Sequence, residues 1–430
     1  MNKILQKIFS VRNENPKSKV ITILGIKFKS KFLKSDLDNL KILCKFLRIK
    51  KNKRKEEYKY IHCITHRKEF PNGGAGGGAA VLSCMKNILG ERIKNIKFTF
   101  WAPNEYAEDY DNELFDLWGA VQFIFDNVKN EKNTVYITHD YGSAFALFLL
   151  GKKYAYVAHL QGPRVEEKLN YGEKFSYISR KIINFCENLA FKNAYCVCFP
   201  SKGAYEYYCQ SKFRSISPEK FRLGPILYNT LYAYPEPEVI KNIERNDSTL
   251  TFLSIGQLTY AKGMDRHTKF FEEILKKTSI NIRYVFVGIG PFKDKIIEDL
   301  NNLELKYKNF NYVYIERCSY PQIQYLQNIT DIYLMLHRIS IFDLATLELM
   351  NKSKCVILSN AGGNPEFNKN NNIILVKDDD FEKAANELLS SDIKQIGLLN
   401  KQVYDNYFSN EVFIQRYTDL INNLLGKIEN

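Results

Sequence analysis

From residue 58 onward, short runs of β-branched and aromatic residues alternate with longer stretches of helical composition, and the alternation happens twice. Tyr58–Thr65, Ile96–Ala102, Thr134–Thr138, Tyr154–His159 and Tyr195–Phe199 read as strands, with helices such as Ala79–Leu89 and Tyr177–Phe191 between them. A polar stretch with two prolines, Tyr232–Ser248, interrupts the rhythm and reads as a linker. Strands then resume at Leu250–Ile255, Tyr284–Val287, Tyr312–Glu316, Ile332–Leu336, Cys355–Leu358 and Ile373–Val376. Strand–helix–strand units of this kind build mostly parallel sheets. The expected class is α/β, with two doubly wound Rossmann-like domains facing each other across a cleft, and ligands of such sheets bind beyond the carboxyl ends of the strands. At 430 residues and 45% hydrophobic, the chain has ample apolar material for two cores.

Charge separates the beginning of the chain from the rest. Residues 1–60 hold 18 Lys/Arg against five acids, so nearly all of the formal +14 sits there and the remaining body is close to neutral. A body wrapping nucleic acid would carry its charge on the folded domains, so nucleic acid is not an expected partner. Within this appendage, Val20–Lys31 alternates apolar and basic residues around Gly25, the pattern of a short hairpin. Beyond it, Leu37, Leu40, Ile42, Leu43, Cys44, Phe46 and Leu47 fall on one arc of a helix and Lys34, Lys41, Lys45 and Arg48 on the other, followed by the basic run Lys50–Glu57. Two readings stay open: a solvated helix packed on the protein itself, or a segment lying on an anionic membrane surface. No apolar stretch approaches the roughly 18–20 residues that span a bilayer, and the first residues lack the core and cleavage site of a signal peptide. Nine cysteines without a C-x-x-C pair read as reduced, buried thiols of a cytoplasmic protein. The expected division is an appendage at 1–57, a first domain at 58–231, a linker at 232–248, a second domain at 249–405 and a closing helix at 406–430 that crosses back to the first domain.

Four stretches fall at strand ends. Pro71–Ala80 follows the first strand and opens a helix, and Gly73, Gly74, Gly76, Gly77 and Gly78 let backbone N–H groups approach a ligand at the positive end of a helix dipole. It lacks the Lys-Ser/Thr ending of a P-loop, and reads either as a plain loop or as a phosphate or sugar cradle. In Phe252–Asp265 a buried strand ends at Gly256, and Lys262, followed by Gly263, stands where it can meet a diphosphate as a point charge. A second buried strand ends in the tight turn Gly288-Ile289-Gly290-Pro291, against which a planar base can lie. Finally, Ser340–Phe367 holds a loop, a helix carrying Glu348, a strand, and Gly362-Gly363-Asn364-Pro365-Glu366.

Together these elements resemble the retaining glycosyltransferases of the large family four, which have the GT-B fold. That family writes G-R-L-x-x-x-K-G where this chain has Gly256-Gln257-Leu258-Thr259-Tyr260-Ala261-Lys262-Gly263, G-x-G-P at Gly288–Pro291, and E-G-F-G-x-x-x-L-E-A-M where it has Ser340 to Met350. His159, in YVAHLQGPR, stands where the family has its active-site histidine; Cys198–Ser201, Tyr228-Asn229 and the closing FSNEVFIQRYTDLINNLL also match in order, and the similarity spans residues 60–425. A weaker and shorter match is VRNENPKSKVITILGIKFKSK, similar to a preamble ahead of bacterial surface-polysaccharide enzymes.

The resemblance implies a nucleotide-diphosphate sugar as co-substrate, no further cofactor and no required metal. Lys262 with Gly256 and Gln257 would meet the diphosphate, Gly288 and Gly290 the base, Glu348 the ribose, and Ser340, Ile341, Phe342 and Asp343 the sugar; His159 and the glycines at 73, 74, 76 and 77 would approach from the first domain. Implied with it are a glycan or lipid-linked acceptor and lipopolysaccharide- or capsule-type chemistry; a place at the inner membrane face is the expectation that the basic appendage adds. Two positions depart from the pattern: Gln257 replaces an arginine on the diphosphate and Ser340 the first of two glutamates, each a charge-assisted contact worth about 1.5–3 kcal/mol. Arg266 and Arg338 are the cations near enough in sequence to substitute. Rival readings are a non-catalytic sugar-nucleotide-binding or assembly protein and a nucleotide-sugar epimerase. His139-Asp140 reads as a helix cap or a substrate contact without chemistry, and Asp109-Tyr110-Asp111 as a solvated loop rather than a metal motif. Flotation with anionic liposomes separates the two appendage readings: membrane docking requires the full chain to float more than one beginning near Glu57, and equal flotation would refute it.

Overall fold

The structure, a computed structural model, describes residues 9–15, 18–23, 26–30, 58–67, 69, 78–101, 113–159, 162–170, 173–231 and 235–426. The amphipathic stretch from Leu37, the basic run Lys50–Glu57, the loop glycines Gly73, Gly74, Gly76 and Gly77, and Asp109–Asp111 lie outside these residues. In the appendage, β1 (Phe9–Asn15), β2 (Ser18–Ile23) and β3 (Ile26–Ser30) form an antiparallel sheet in that order, with Ile21 opposite Phe28 and Ile23 opposite Ile26. The hairpin read at Val20–Lys31 is therefore β2–β3, extended by a third strand.

The first domain is a six-stranded parallel sheet: β4 (Tyr60–Thr65), β5 (Ile96–Phe100), β6 (Thr134–Thr138), β7 (Tyr154–Val157), β8 (Cys196–Phe199) and β9 (Leu223–Ile226), arranged β5-β4-β6-β7-β8-β9. Alternation along the strands feeds two cores, because successive side chains point to opposite faces. Ile64, Tyr136 and Tyr156 pack under α2 (Glu113–Val128), α3 (Tyr141–Leu149) and α5 (Tyr177–Asn193). Ile61, Cys63, Val135, Ile137, Ala155 and Val157 pack instead with Leu82, Met85 and Leu89 of α1 (Gly78–Leu89). The second core also holds Phe413, Tyr417, Leu420, Ile421 and Leu424 of the last helix, Asn410–Leu425, so the chain returns from the second domain to cover the first sheet. Strand β9 was absent from the sequence reading because its four residues, Leu-Gly-Pro-Ile, break strand composition. A proline is tolerated there because β9 is an edge, and Gly224 admits the sulfurs of Cys196 and Cys198, whose Sγ atoms stand 3.1 and 2.6 Å from where a Cβ would lie.

The second domain repeats the plan with β10 (Thr249–Ile255), β11 (Asn281–Val287), β12 (Phe310–Ile315), β13 (Ile332–Met335), β14 (Cys355–Ser359) and β15 (Ile374–Val376), ordered β12-β11-β10-β13-β14-β15. The chain starts mid-sheet, runs outward, and returns to the other side of its first strand. This leaves a topological switch point between β10 and β13, where ligand crevices open.

Carboxyl ends of the two sheets meet through one carboxylate. Helix α6 (Lys202–Gln210) follows β8, and Glu366, on the loop after β14, accepts its first two backbone N–H groups, Lys202 N at 2.9 Å and Gly203 N at 2.8 Å. Tyr228 Oη donates to the same carboxylate at 2.8 Å, and Ser201, which caps α6, donates to Ile341 O. An anion on a helix N-terminus satisfies orphan donors and the positive end of the helix dipole together. Glu366→Ala should therefore lower stability by about 1–3 kcal/mol in chemical denaturation, with Glu366→Gln intermediate; wild-type stability in both would show that the contact does not hold the domains.

Candidate active site

Parallel pairing of β10 with β11 runs in register from Thr249–Asn281 to Ile255–Val287, so the residues that follow, Gly256 and Gly288, emerge side by side. Gly256 N donates to Val287 O at 3.0 Å. A Cβ on Gly288, whose φ is +153°, would stand 1.8 Å from Gly256 O, and one on Gly290 would stand 2.4 Å from Leu258 O. The two strand ends thus pack backbone on backbone, which only glycine permits.

Lys262 is carried over this floor by a 3-10 turn, Tyr260–Lys262, which ends on Gly263 in the left-handed region (φ +66°). The turn docks on the end of β13: Arg338 N and Ile339 N donate to Ala261 O at 2.9 and 3.2 Å, and a Cβ on Gly263 would meet Leu336 O at 1.9 Å. The lysine's Cδ and Cε pass 3.5 Å from where a Gly256 Cβ would be. Its Nζ reaches His337 Nε2 at 3.4 Å and Asp343 Oδ1 at 3.7 Å. Burial and the lysine push the His337 imidazole down to about 3, so it is neutral and able to accept from Nζ. Gln257 lies exposed beside this turn.

Asp343 caps α10 (Leu344–Asn351): Oδ2 accepts from Thr346 N at 3.1 Å, Thr346 Oγ1 at 2.9 Å and Tyr333 Oη at 2.9 Å. Burial works against its charge, but Lys262, His337 and these donors outweigh burial and hold it below the usual carboxylate range. One turn further, Glu348 receives Tyr320 Oη at 2.9 Å and Gln327 Nε2, both from α9 (Tyr320–Ile329). Burial pushes Glu348 up to about 6, with the charge of Asp343 adding to it and the two donors opposing.

The other expected contacts are placed differently. Ser340 is buried and donates to Asn364 Oδ1 at 2.7 Å; Asn364 Nδ2 in turn donates to Ser359 O at 3.0 Å. Phe342 is buried against Tyr228, at 5.3 Å between ring centroids, and Phe367, at 4.4 Å. Ile341 is taken up by the contact with Ser201. The Ser340 hydroxyl is thus taken up by Asn364 and the Phe342 ring by its aromatic neighbours. Neither arginine near the diphosphate position is spare: Arg338 grips Asp265 with two bonds of 2.7 Å, and Arg266 pairs with Asp379 while donating to Leu336 O at 3.0 Å.

From the first domain, His139 and His159 follow β6 and β7 and stack at 5.0 Å with an interplanar angle of 11°. Both nitrogens of His139 and Nε2 of His159 are buried without a hydrogen-bond partner among the described residues. Burial drives both imidazoles down, His159 to about 4, so the pair is uncharged. Asp140 caps α3, accepting from Ser143 N at 2.7 Å, and also takes Thr65 Oγ1 at 2.7 Å and His66 N at 3.0 Å. Among the described residues no cluster of three or more His, Cys, Asp or Glu side chains is arranged to hold a metal ion.

Sequence reading left out His337, Tyr320, Gln327 and the partners of Asp343. Asp343 and Thr346 carried a usable signal, an N-cap residue three positions before a threonine at a helix start; Tyr333 acts across 10 positions, Gln327 and Tyr320 across 21 and 28, and His337 across 75, and these left none.

Residues 236–402 match the family described as Glycosyl transferases group 1. Solved structures share the architecture of most of the chain. Sucrose-phosphate synthase from Thermosynechococcus elongatus is 14% identical, with 86% of this chain and 100% of that one covered at a TM-score of 0.61. Comparable values hold for a UDP-forming α,α-trehalose-phosphate synthase from Burkholderia vietnamiensis (11%, 87% and 100%, TM-score 0.60). HepE from Anabaena, in complex with UDP and glucose, is 14% identical over 84% of this chain and 99% of that one at 0.55. This chain has the GT-B fold. None of the curated proteins matches it.

In this GT-B chain the raised Glu348 makes a testable contribution to stability. A carboxyl that ionises at higher pH when folded favours folding in its protonated form. Its contribution, about 2 kcal/mol at most, is complete below 4.5 and lost as pH rises through about 6. Glu348→Gln should flatten the pH dependence of stability over that window, and an unaltered profile in denaturant titrations would contradict the shift.

Proposed function

We propose that the protein is a retaining glycosyltransferase that moves a hexose-type sugar from a nucleotide-diphosphate sugar to a glycan or lipid-linked acceptor in cell-surface polysaccharide synthesis. The observation that carries the donor half is the constellation at the switch point of the second sheet: a glycine floor, a lysine held above it, and Glu348 one turn along the facing helix. HepE, which has this fold, is described in complex with UDP-glucose, and the same class of donor suits this crevice. Cleaving the anomeric C–O bond spreads positive charge over the sugar and negative charge over the departing diphosphate. Lys262 opposes the latter where it develops. Glu348 would accept hydrogen bonds from the ribose, and the base would lie on the Gly288–Gly290 turn. His159, neutral and with Nε2 unpartnered, would contact a sugar hydroxyl from the first domain. The acceptor hydroxyl would attack from the leaving-group face and pass its proton to a donor phosphate oxygen, so retention needs no protein nucleophile. The retaining outcome and the polysaccharide setting rest on the sequence resemblance, and a position at the inner membrane face rests on the amphipathic helix pattern and the basic run of the appendage.

A second reading, a sugar-nucleotide-binding protein without turnover, is favoured by one observation: Gln257 removes a cation and the two nearby arginines are committed to Asp265 and Asp379. Turnover separates the readings, since both bind nucleotide. Across UDP-, GDP-, ADP- and CMP-sugars, one donor should raise the melting temperature and be hydrolysed or transferred. Lys262→Ala and Glu348→Ala should each reduce that rate at least a hundredfold, and full activity in both variants would reject the assignment. Proton NMR of the fresh product reports its anomeric configuration.

A further inference from the structure

Three cations stand near the carboxyl ends of β10 and β13, and each has its own carboxylate. Arg338 is matched by Asp265, Arg266 by Asp379 and Lys262 by Asp343. Asp379 is 60% exposed, whereas the Asp265 and Asp343 side chains are only 10% and 8% exposed. Arg338 and Asp265 satisfy each other through two bonds of 2.7 Å, but Asp343 meets Lys262 through one oxygen at a longer distance. Thr346 N, Thr346 Oγ1 and Tyr333 Oη hold its Oδ2, so Oδ1 stays aimed at Lys262, 3.7 Å away, and at His337 Nε2, 3.8 Å away. Moving it would uncap α10 and leave a buried tyrosine hydroxyl without its acceptor. An anion arriving at Lys262 therefore meets a fixed negative charge beside the positive one.

We propose that Asp343 is a specificity-determining counter-ion of the donor site: it positions Lys262 before a ligand arrives and makes the site favour a sugar nucleotide over the free nucleoside diphosphate. The inference rests on Lys262 meeting the diphosphate, as proposed above. A free nucleoside diphosphate ends in a phosphate whose second ionisation lies near pH 6, so at neutral pH it carries roughly one more negative charge than its sugar ester. A fixed carboxylate in a partly dry pocket repels that extra charge. The product formed by transfer is thus held less tightly than the donor that replaces it, which speeds release of the free nucleoside diphosphate once transfer is complete.

Calorimetry on the full chain tests this with UDP, GDP and ADP and the glucose ester of each. Asp343→Asn keeps a capping oxygen and removes the charge, and Asp343→Ser, also a good helix cap, provides a second variant should the first fold poorly. Both should bind the preferred free diphosphate at least tenfold tighter than the wild type and its glucose ester with a distinctly smaller gain, while Lys262→Ala loses both. Unchanged or weaker diphosphate binding in the two Asp343 variants, with binding lost in Lys262→Ala, would overturn the counter-ion and leave the donor site standing. An equal gain for diphosphate and ester would overturn the discrimination. Wild-type affinity in Lys262→Ala, or no binding by any of the chains, would remove the donor site itself and the inference with it.

Discussion

Backbone touching backbone at the carboxyl end of the second sheet is the contact on which the rest of the molecule depends. Gly288 lies on Gly256 O, Gly290 on Leu258 O, Gly263 on Leu336 O, Gly362 on Ser340 O and Gly363 on Ile341 O, each closer than a Cβ would allow. These approaches draw the loops after β10, β11, β13 and β14 into one thin floor. Lys262 crosses that floor toward His337 over Gly256, with Cδ and Cε 3.5 Å from where a Cβ there would stand. The same thinness reaches the other domain: Gly203, at the start of α6, faces Gly362 so closely that a Cβ there would sit 2.1 Å from the Gly362 carbonyl carbon. Site and interdomain contact share one packing solution.

Electrostatics divide the crevice into unlike halves. On the second-domain side nearly every charge is answered by another. Lys262, Arg266 and Arg338 each stand beside a carboxylate, and Glu366 is consumed by the helix it caps. The first-domain side presents the reverse, neutral stacked imidazoles with three buried ring nitrogens unpartnered among the described residues. Buried polar atoms normally find partners, and under the proposed function these nitrogens would receive hydroxyl groups of the substrate. A charged leaving group on one side and a neutral, hydroxyl-rich sugar on the other suit this division.

Much of this was legible before any coordinates. The short β-branched and aromatic runs of β4, β6 and β7, whose alternate residues feed two cores, are a local property written directly in the side chains. Glycine spacing at Gly256, Gly288 and Gly290, followed by a lysine and a helical glutamate, likewise declares itself over short stretches. Strand β9 failed this test because an edge strand tolerates Gly-Pro, and its place is granted by the neighbour β8 rather than by its own composition. Phe342 was assigned to the sugar loop, but its ring belongs to an aromatic cluster with Tyr228, Phe367 and Phe408 that no single segment contains. The two arginines expected to stand in for the missing cation are near Lys262 in sequence and in space, yet turn to Asp265 and Asp379.

By itself the sequence determined two doubly wound domains, the strand ends at which a ligand would lie, and the residue types with the chemistry to meet a diphosphate, because periodicity and turn chemistry act over a few residues at a time. Only the tertiary structure decided which charges remain available there. Asp343 and Lys262 are 81 positions apart and Glu366 and Lys202 are 164 apart, and whether such groups cancel or cooperate depends on a few ångströms set by the packing of glycines between them.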